Sequence, residues 1–166
     1  VVTREWGADL IKSWNSAGWF DLPVRLGDKL APLIGAAPGE VVICDSTSQN
    51  LFKVLSAAVA LRPDRSGLIL AGSNFPTNNY IAQGVAAATG GRVKVRLCEK
   101  DEIASAIDED TIAVAITHVH YKTGHIHDMA AITARAHDAG ALAIWDLCHS
   151  AGAMPVDLDG AGADFA

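Results

Sequence analysis

Short apolar runs alternate along the chain with longer segments whose apolar residues recur at helical spacing. Three of the runs, at 67–71, 111–116 and 141–145, contain almost only apolar residues, which is typical of parallel strands buried on both faces. A run at 92–97 alternates apolar and charged residues, and a run at 40–44 is rich in β-branched residues. We therefore predict five strands, and the residues at 163–166 resemble the start of another.

The segments between these runs carry helical patterns and helix-terminating residues. The predicted helices are 4–14, 29–34, 51–61, 81–89, 101–107 and 129–139. Asp28 and Asp128 stand where N-caps are expected, and Gly35 and Gly140 stand where helices should end.

Regular alternation of strand and helix favours an α/β fold with a mostly parallel, doubly wound sheet and right-handed crossovers. The residues at 1–35 form a predicted helical and loop segment, and those at 36–166 form the α/β domain. Trp6 and Trp14 lie at the apolar positions of the first predicted helix, so we expect them to pack in a core.

Composition and charge exclude several classes of protein. The 166 residues carry a net charge of −6, which argues against a general nucleic-acid-binding protein because such proteins carry basic surfaces. No apolar run is long enough to span a bilayer.

The three cysteines form no C-x-x-C pair, so a reducing cytoplasm is the simplest compartment, with Cys44 and Cys98 as buried thiols. Four histidines lie at 118–127, but Gly124 interrupts them and their spacing matches no metal motif, so we predict no metal site.

Polar or aromatic residues follow four of the predicted strands: Thr47 with Ser48, Phe75, Thr117 and Asp146. The carboxyl ends of parallel strands meet at one edge of a sheet, so these residues should lie together. Thr47 and Ser48 precede a helix, whose free N–H groups attract anions such as phosphate; a plain N-cap is the alternative. Phe75 is suited to cover a flat ligand, or else to cover the sheet edge. Asp146 is suited to hold a cationic group, or else to cap a turn.

A phosphate site, an aromatic cover and a carboxylate at one sheet edge suit a phosphorylated aromatic cofactor, and pyridoxal 5'-phosphate fits. The ring nitrogen of this cofactor needs an anionic partner in order to stay protonated, and Asp146 would be that partner. Thr117 would lie near the edge of the ring. His149 would lie against the cofactor or support Asp146.

Several motifs, in order and over nearly the whole chain, resemble those of the kynureninases, which are fold type I enzymes that use pyridoxal phosphate. These motifs are Glu5-Trp6-Gly7, Gly27-Asp28-Lys29, Cys44-Asp45-Ser46-Thr47-Ser48, Asn74-Phe75-Pro76-Thr77, Thr117-His118-Val119, His127-Asp128-Met129 and Trp145-Asp146-Leu147 with His149-Ser150-Ala151-Gly152.

The resemblance implies hydrolysis of L-kynurenine, or of 3-hydroxykynurenine, to anthranilate, or 3-hydroxyanthranilate, and L-alanine in tryptophan catabolism and NAD biosynthesis. It also implies a homodimer. The cofactor-binding residues that it implies are Thr47, Ser48, Phe75, Pro76, Thr77, Asn78, Thr117, Asp146 and His149. Among them, the two hydroxyl residues would meet the phosphate and the carboxylate would pair with the ring nitrogen. The family usually has Asp at the position of Asn78, so we expect rearranged hydrogen bonds there.

The lysine that forms the Schiff base in this family is expected beyond Ala166. We therefore expect the chain to be a fragment of a longer protein, without a catalytic residue of its own and inactive alone. Two alternatives stay open. One is another class V enzyme, a cysteine desulfurase or an aminotransferase, although those enzymes commonly have histidine where Phe75 stands. The other is a non-catalytic fragment that binds a partner or dimerises.

Overall fold

Four parallel strands form the sheet of the computed structural model, which describes residues 1–166. They are β1 (Gly67–Ala71), β2 (Lys94–Cys98), β3 (Thr111–Thr117) and β4 (Leu142–Asp146), in the spatial order β2-β1-β3-β4. Four of the five predicted strands and the parallel α/β architecture are thereby confirmed. The register of β3 and β4 pairs Thr117 with Asp146, so both residues reach the carboxyl edge of the sheet together.

Helical segments precede and connect the strands. In chain order they are α1 (Gly7–Asp9), α2 (Ser13–Ser16), α3 (Leu22–Ile34), α4 (Thr47–Leu61), α5 (Pro76–Ala88), α6 (Ile103–Ala106), α7 (Met129–Asp138) and α8 (Leu158–Ala161). A π-helical segment at Val2–Trp6 and a 3-10 segment at Leu10–Lys12 lie near the amino terminus.

Helices cover both faces of the sheet, which is why β1 and β3 are buried along their whole length. Helices α4 and α5 pack against each other and share one apolar cluster with Leu68 and Leu70 of β1. Ile69, also fully buried, points to the opposite face because side chains alternate along a strand. This doubly wound arrangement brings the amino ends of α4 and α5 to the carboxyl edge of the sheet.

The chain divides into two compact units, Val1–Cys44 and Asp45–Ala166. In the first unit, the predicted helix at 4–14 is instead a series of short helical segments, since Leu10 has a positive φ of 49° that a continuous helix cannot contain. The prediction of core positions for Trp6 and Trp14 is wrong, because these side chains are 49% and 48% exposed. Trp6 instead stacks on Trp19, with ring centroids 5.9 Å apart.

The predicted strand at 40–44 is wrong: these residues have irregular, mostly exposed backbone, and the Ile43 N–H donates to the Pro23 carbonyl at 3.2 Å. A β-branched run forms a strand only where a neighbouring strand can pair with it, and none does so here. The prediction of Asp28 as an N-cap is also wrong. Asp28 lies inside α3 and its carboxylate accepts the Gly39 N–H at 2.8 Å, while Asp21 occupies the N-cap position.

Helices α4 and α5 begin four and five residues before the predicted starts at 51 and 81. Ser46 caps α4, and Pro76 occupies the first position of α5, where its missing N–H and fixed φ suit a helix start. The predicted cap of α7 is confirmed, since the Asp128 carboxylate accepts the Ala131 N–H at 3.0 Å. Near the carboxyl terminus, Phe165 forms a single parallel bridge with Ile144.

Candidate functional site

A pocket of about 240 Å³ opens at the carboxyl edge of the sheet, inside the unit Asp45–Ala166. Its walls come from the start of α4, the start of α5 and the turn after β4. The lining residues are Thr47, Ser48, Phe75, Thr77, Asn78, Asp146, Cys148 and His149. The structure thus brings together all the predicted site residues except Pro76 and Thr117.

The amino end of α4 forms one side of the pocket. Ser46 provides the cap, since its hydroxyl accepts the Gln49 N–H at 3.4 Å. Thr47 and Ser48 are the first two residues of the helix, and they are therefore not needed as caps. Their N–H groups have no partner within the helix, and the helix dipole adds partial positive charge there. With two hydroxyls beside these N–H groups, this side of the pocket suits an anion such as phosphate.

Asp146, at the end of β4, brings a negative charge to the pocket, in contrast to the partly positive start of α4. Its Oδ2 accepts a hydrogen bond from the Asn78 amide Nδ2 at 2.6 Å, and its Oδ1 accepts the Cys148 N–H at 2.9 Å. No lysine, arginine or histidine forms an ion pair with it. An ionised carboxylate has about four acceptor positions, so it can still accept a hydrogen bond from a cationic group of a ligand.

The strand that carries Asp146 is fixed by the residue before it. Trp145 is 1% exposed, and its indole Nε1–H donates to the hydroxyl of Thr133 in α7 at 3.0 Å. The backbone carbonyl of Asp146 accepts the His118 N–H at 2.9 Å. These bonds hold the strand end to a helix on one side and to the neighbouring strand on the other.

Three rings lie at the rim of the pocket. Phe75 is 46% exposed and meets Tyr121 edge-on, with centroids 5.3 Å apart. Tyr121 in turn stacks on His149 at 6.4 Å. Phe75 therefore presents a partly exposed aromatic ring in the same pocket as the carboxylate and the helix end. Tyr121 follows β3 in the same polar segment as Thr117, which was expected at this sheet edge, but it was not among the predicted site residues.

Thr117 and Pro76 do not line the pocket. Thr117 is buried, and its N–H and hydroxyl both donate to the Asn74 Oδ1 at 3.3 Å. The amide of Asn74 donates to the Ala115 carbonyl, so this side chain joins the end of β1 to β3. His149 lines the pocket but makes no hydrogen bond to Asp146, whose two oxygens meet Asn78 and Cys148 instead.

Cys148 is a pocket residue that the sequence analysis missed. Its Sγ lies 3.4 Å from the Thr47 hydroxyl, and burial is the main cause that raises the pKa of this thiol. The only sequence signal was its position two residues after Asp146. The prediction of a buried thiol is wrong for Cys44, which is exposed, while Cys98 is half-buried.

Other reactive groups lie elsewhere. The chain has six lysines and none lines the pocket: Lys12, Lys29, Lys53, Lys94, Lys100 and Lys122. No group of three or more His, Cys, Asp or Glu side chains is arranged to hold a metal ion. None of the helices has the length and apolar character that a membrane span requires.

The sequence is similar to curated kynureninases along its entire length. It is 57% identical to a kynureninase of Pseudomonas fluorescens and 52% identical to one of Burkholderia pseudomallei (strain 1106a). In both comparisons all of this chain is covered, but only 41% of the relative. The chain therefore spans about two fifths of the length of these relatives.

Solved structures share the fold at low sequence identity. The apo cysteine desulfurase of Thermococcus onnurineus NA1 has a TM-score of 0.74 and 23% identity, over 90% of this chain and 40% of that one. A C-DES mutant with glycine covalently linked to its PLP cofactor has a TM-score of 0.77 and 19% identity, over 99% of this chain and 45% of that one. The family model described as aminotransferase class-V matches residues 25–166. The chain therefore belongs to the aminotransferase class-V family.

Proposed function

We propose that this chain forms the cofactor-binding part of a kynureninase that uses pyridoxal 5'-phosphate. The observation that carries the proposal is the 57% identity to a curated kynureninase over the whole chain. Desulfurase-like structures, at 23% identity or below, share the fold alone. Phe75 supports the kynureninase assignment, since cysteine desulfurases and class V aminotransferases commonly have histidine at this position.

The residues that line the pocket fit this cofactor. Thr47 and Ser48 stand at a helix end whose cap is a different residue, so their N–H groups and the Ser48 hydroxyl are available to a phosphate. The Thr47 hydroxyl lies 3.4 Å from the Cys148 Sγ, and sulfur is only a weak hydrogen-bond partner that a phosphate can replace. Asp146 carries a negative charge without a cationic partner and suits a protonated ring nitrogen. Phe75 offers an exposed ring face to a flat heterocycle. When bound, pyridoxal phosphate supplies an electron sink that stabilises negative charge developing at the substrate Cα.

In this mechanism the residues of the chain bind and orient the cofactor. Thr47 and Ser48 would bind the phosphate and so orient the cofactor. Asp146 would hold a proton on the ring nitrogen, which lets the ring withdraw electrons. Phe75 would pack against the ring. The lysine that attaches the cofactor does not line this pocket, so we propose that another part of the full-length protein supplies it and that the chain alone does not turn over substrate.

The proposed substrate is L-kynurenine or 3-hydroxykynurenine. Hydrolysis consumes one water, breaks the bond between Cβ and Cγ, and yields L-alanine with anthranilate or 3-hydroxyanthranilate. We also propose that the protein acts as a cytoplasmic homodimer in tryptophan catabolism. The cysteine pattern supports the compartment, because the three cysteines are far apart in the sequence and form no C-x-x-C pair.

The assay is anthranilate release from L-kynurenine by full-length protein loaded with the cofactor, with sulfide release from L-cysteine measured in parallel. We expect anthranilate, and we expect Asp146→Asn to lower kcat/KM by about a hundredfold or more, because the ring nitrogen loses its anionic partner. Asp101→Asn is the matched control, since Asp101 is exposed and lies outside the pocket. Release of sulfide without anthranilate would show that the protein is a desulfurase.

A further inference from the structure

The amide of Asn78 is buried at the bottom of the pocket wall. Asn78 is the third residue of α5 and is only 5% exposed. A buried amide without a partner is costly, and Asn has no intrinsic preference for a helix interior. Here its Nδ2 lies 2.6 Å from the Asp146 Oδ2, so a residue of one helix is bonded to the end of β4, 68 positions further along the chain.

The second donor to the Asp146 carboxylate is a neutral group, as the Asn78 amide is. Asp146 Oδ1 accepts the Cys148 N–H at 2.9 Å, from the turn that follows the strand. A helix side chain and a turn backbone therefore each hold one oxygen of Asp146. Because both donors are neutral, they fix the orientation of the carboxylate without cancelling its charge. A lysine or arginine in place of Asn78 would have fixed the carboxylate equally well but left no net charge for a ligand.

We propose that Asn78 is a positioning residue that aims the charged Asp146 carboxylate at a protonated heterocyclic nitrogen of the bound cofactor. This inference rests on the proposed function, since it takes the cofactor to be pyridoxal phosphate. Asn78 acts through Asp146, whose oxygen it holds in place. The residue thus sets how strongly the site prefers a ring that carries a protonated nitrogen over the same ring without one.

A pair of ligands isolates this preference. Pyridoxine 5'-phosphate has the ring nitrogen, and its benzene analogue has a C–H in that place; neither carries the aldehyde, so no lysine is needed for either to bind. The ratio of their dissociation constants, measured by calorimetry on cofactor-free, full-length protein, reports on the pairing of Asp146 with the ring. Because both ligands bind the same protein, a general loss of folded protein does not change the ratio.

The variants are Asn78→Ala and the control Asn79→Ala. Asn79 is the next residue of α5, is 8% exposed, and donates from Nδ2 to the Gly72 carbonyl at 3.1 Å. Asn79→Ala therefore removes a similar buried hydrogen bond, and this bond does not involve Asp146. We expect wild-type protein to favour the pyridine ligand, Asn78→Ala to reduce that preference by about tenfold, as for a hydrogen bond to a charged group, and Asn79→Ala to keep it. The benzene analogue should bind wild type and both variants within about twofold, since it has no nitrogen for Asp146 to hold.

Two results would overturn the inference in distinguishable ways. A strong preference for the pyridine ligand that survives in Asn78→Ala would show that Asp146 acts without Asn78, and the proposed function would stand. A ratio near one in wild-type protein would contradict the pairing of Asp146 with the ring nitrogen, and with it the role of Asn78. In that case Asp146→Asn should also leave the ratio unchanged.

Discussion

The hydrogen bond between Trp145 and Thr133 is expected to stabilise the strand end that carries Asp146. Both side chains are 1% exposed, and the Nε1 to Oγ1 distance is 3.0 Å. Trp145→Phe removes the donor and leaves the Thr133 hydroxyl buried without it, which costs about 1–3 kcal/mol. The smaller ring also leaves a void, so we expect a total loss of about 2–4 kcal/mol in the free energy of unfolding.

Thr133→Val removes the acceptor instead. It keeps the volume but leaves the indole N–H buried and unpaired, so we expect a loss of about 1–3 kcal/mol. In the double variant neither polar group remains. Its loss should therefore be smaller than the sum of the two single losses by about 1 kcal/mol or more. Thr133→Ser is the control, because it keeps the hydroxyl and removes only a methyl group.

The assay is urea unfolding of the full-length protein followed by far-ultraviolet circular dichroism. Tryptophan fluorescence is less suitable, because Trp145→Phe removes one of the four tryptophans of the chain and so changes the signal itself. Losses that add within about 0.5 kcal/mol would refute the reasoning, since independent sites behave in that way. A loss in Thr133→Ser as large as in Thr133→Val would point to the methyl group and away from the hydrogen bond.

Two further predictions concern positions outside the pocket. A Cβ on Gly27 would lie 1.8 Å from the Val41 carbonyl oxygen, so Gly27→Ala should loosen the unit Val1–Cys44 and speed its cleavage in limited proteolysis, whereas Gly84→Ala, where the Cβ meets open space, should not. Burial lowers the pKa of His118, so the unfolded chain takes up the proton first as the pH falls below about 6.5. The free energy of unfolding should therefore decrease between about pH 7 and pH 5, and His118→Phe should flatten that dependence; an unchanged slope would contradict this origin.

The sequence predicted the sheet well because its strands are buried on both faces. Runs such as those at 67–71 and 111–116 contain almost no polar residues, and in a doubly wound fold only strands combine that composition with such short length. The run at 40–44 is rich in β-branched residues but has no strand to pair with. Local composition reports strand propensity, whereas the presence of a partner is a tertiary property.

Helix starts were placed too late because polar first turns resemble loops. Thr47 and Ser48 are hydroxyl residues that occur often in turns, and Asn78 with Asn79 looks like a continuation of a loop. Their helical conformation depends on Ser46 and Pro76, which stand just before or at the first position. At these two helices the residues just before or at the first position are a better guide to the start than the polarity of the residues that follow, whereas Asp28 shows that a capping residue type alone does not identify a start.

The sequence predicted most of the residues that line the candidate site, but it did not predict the hydrogen bonds between them. Strand ends converge in any parallel sheet, so the meeting of Phe75 and Asp146 required only the topology. Thr47 reaches the same pocket as the first residue of α4, because the residues at 40–44 form no strand. The bond from Asn78 to Asp146 depends on how α5 sits against β4, which no local pattern encodes. Thr117 was misjudged for the same reason, because Asn74 occupies its hydroxyl.

The separate capping of α4 gives the pocket a polarity. Because Ser46 satisfies the cap, the partial positive charge of the helix end is available to the pocket at Thr47 and Ser48, while Asp146 supplies a full negative charge from another wall. A ligand with an anionic and a cationic group is therefore favoured in one direction and opposed in the reverse one. The site thus selects the orientation in which a molecule enters, before any contact specific to its ring is made.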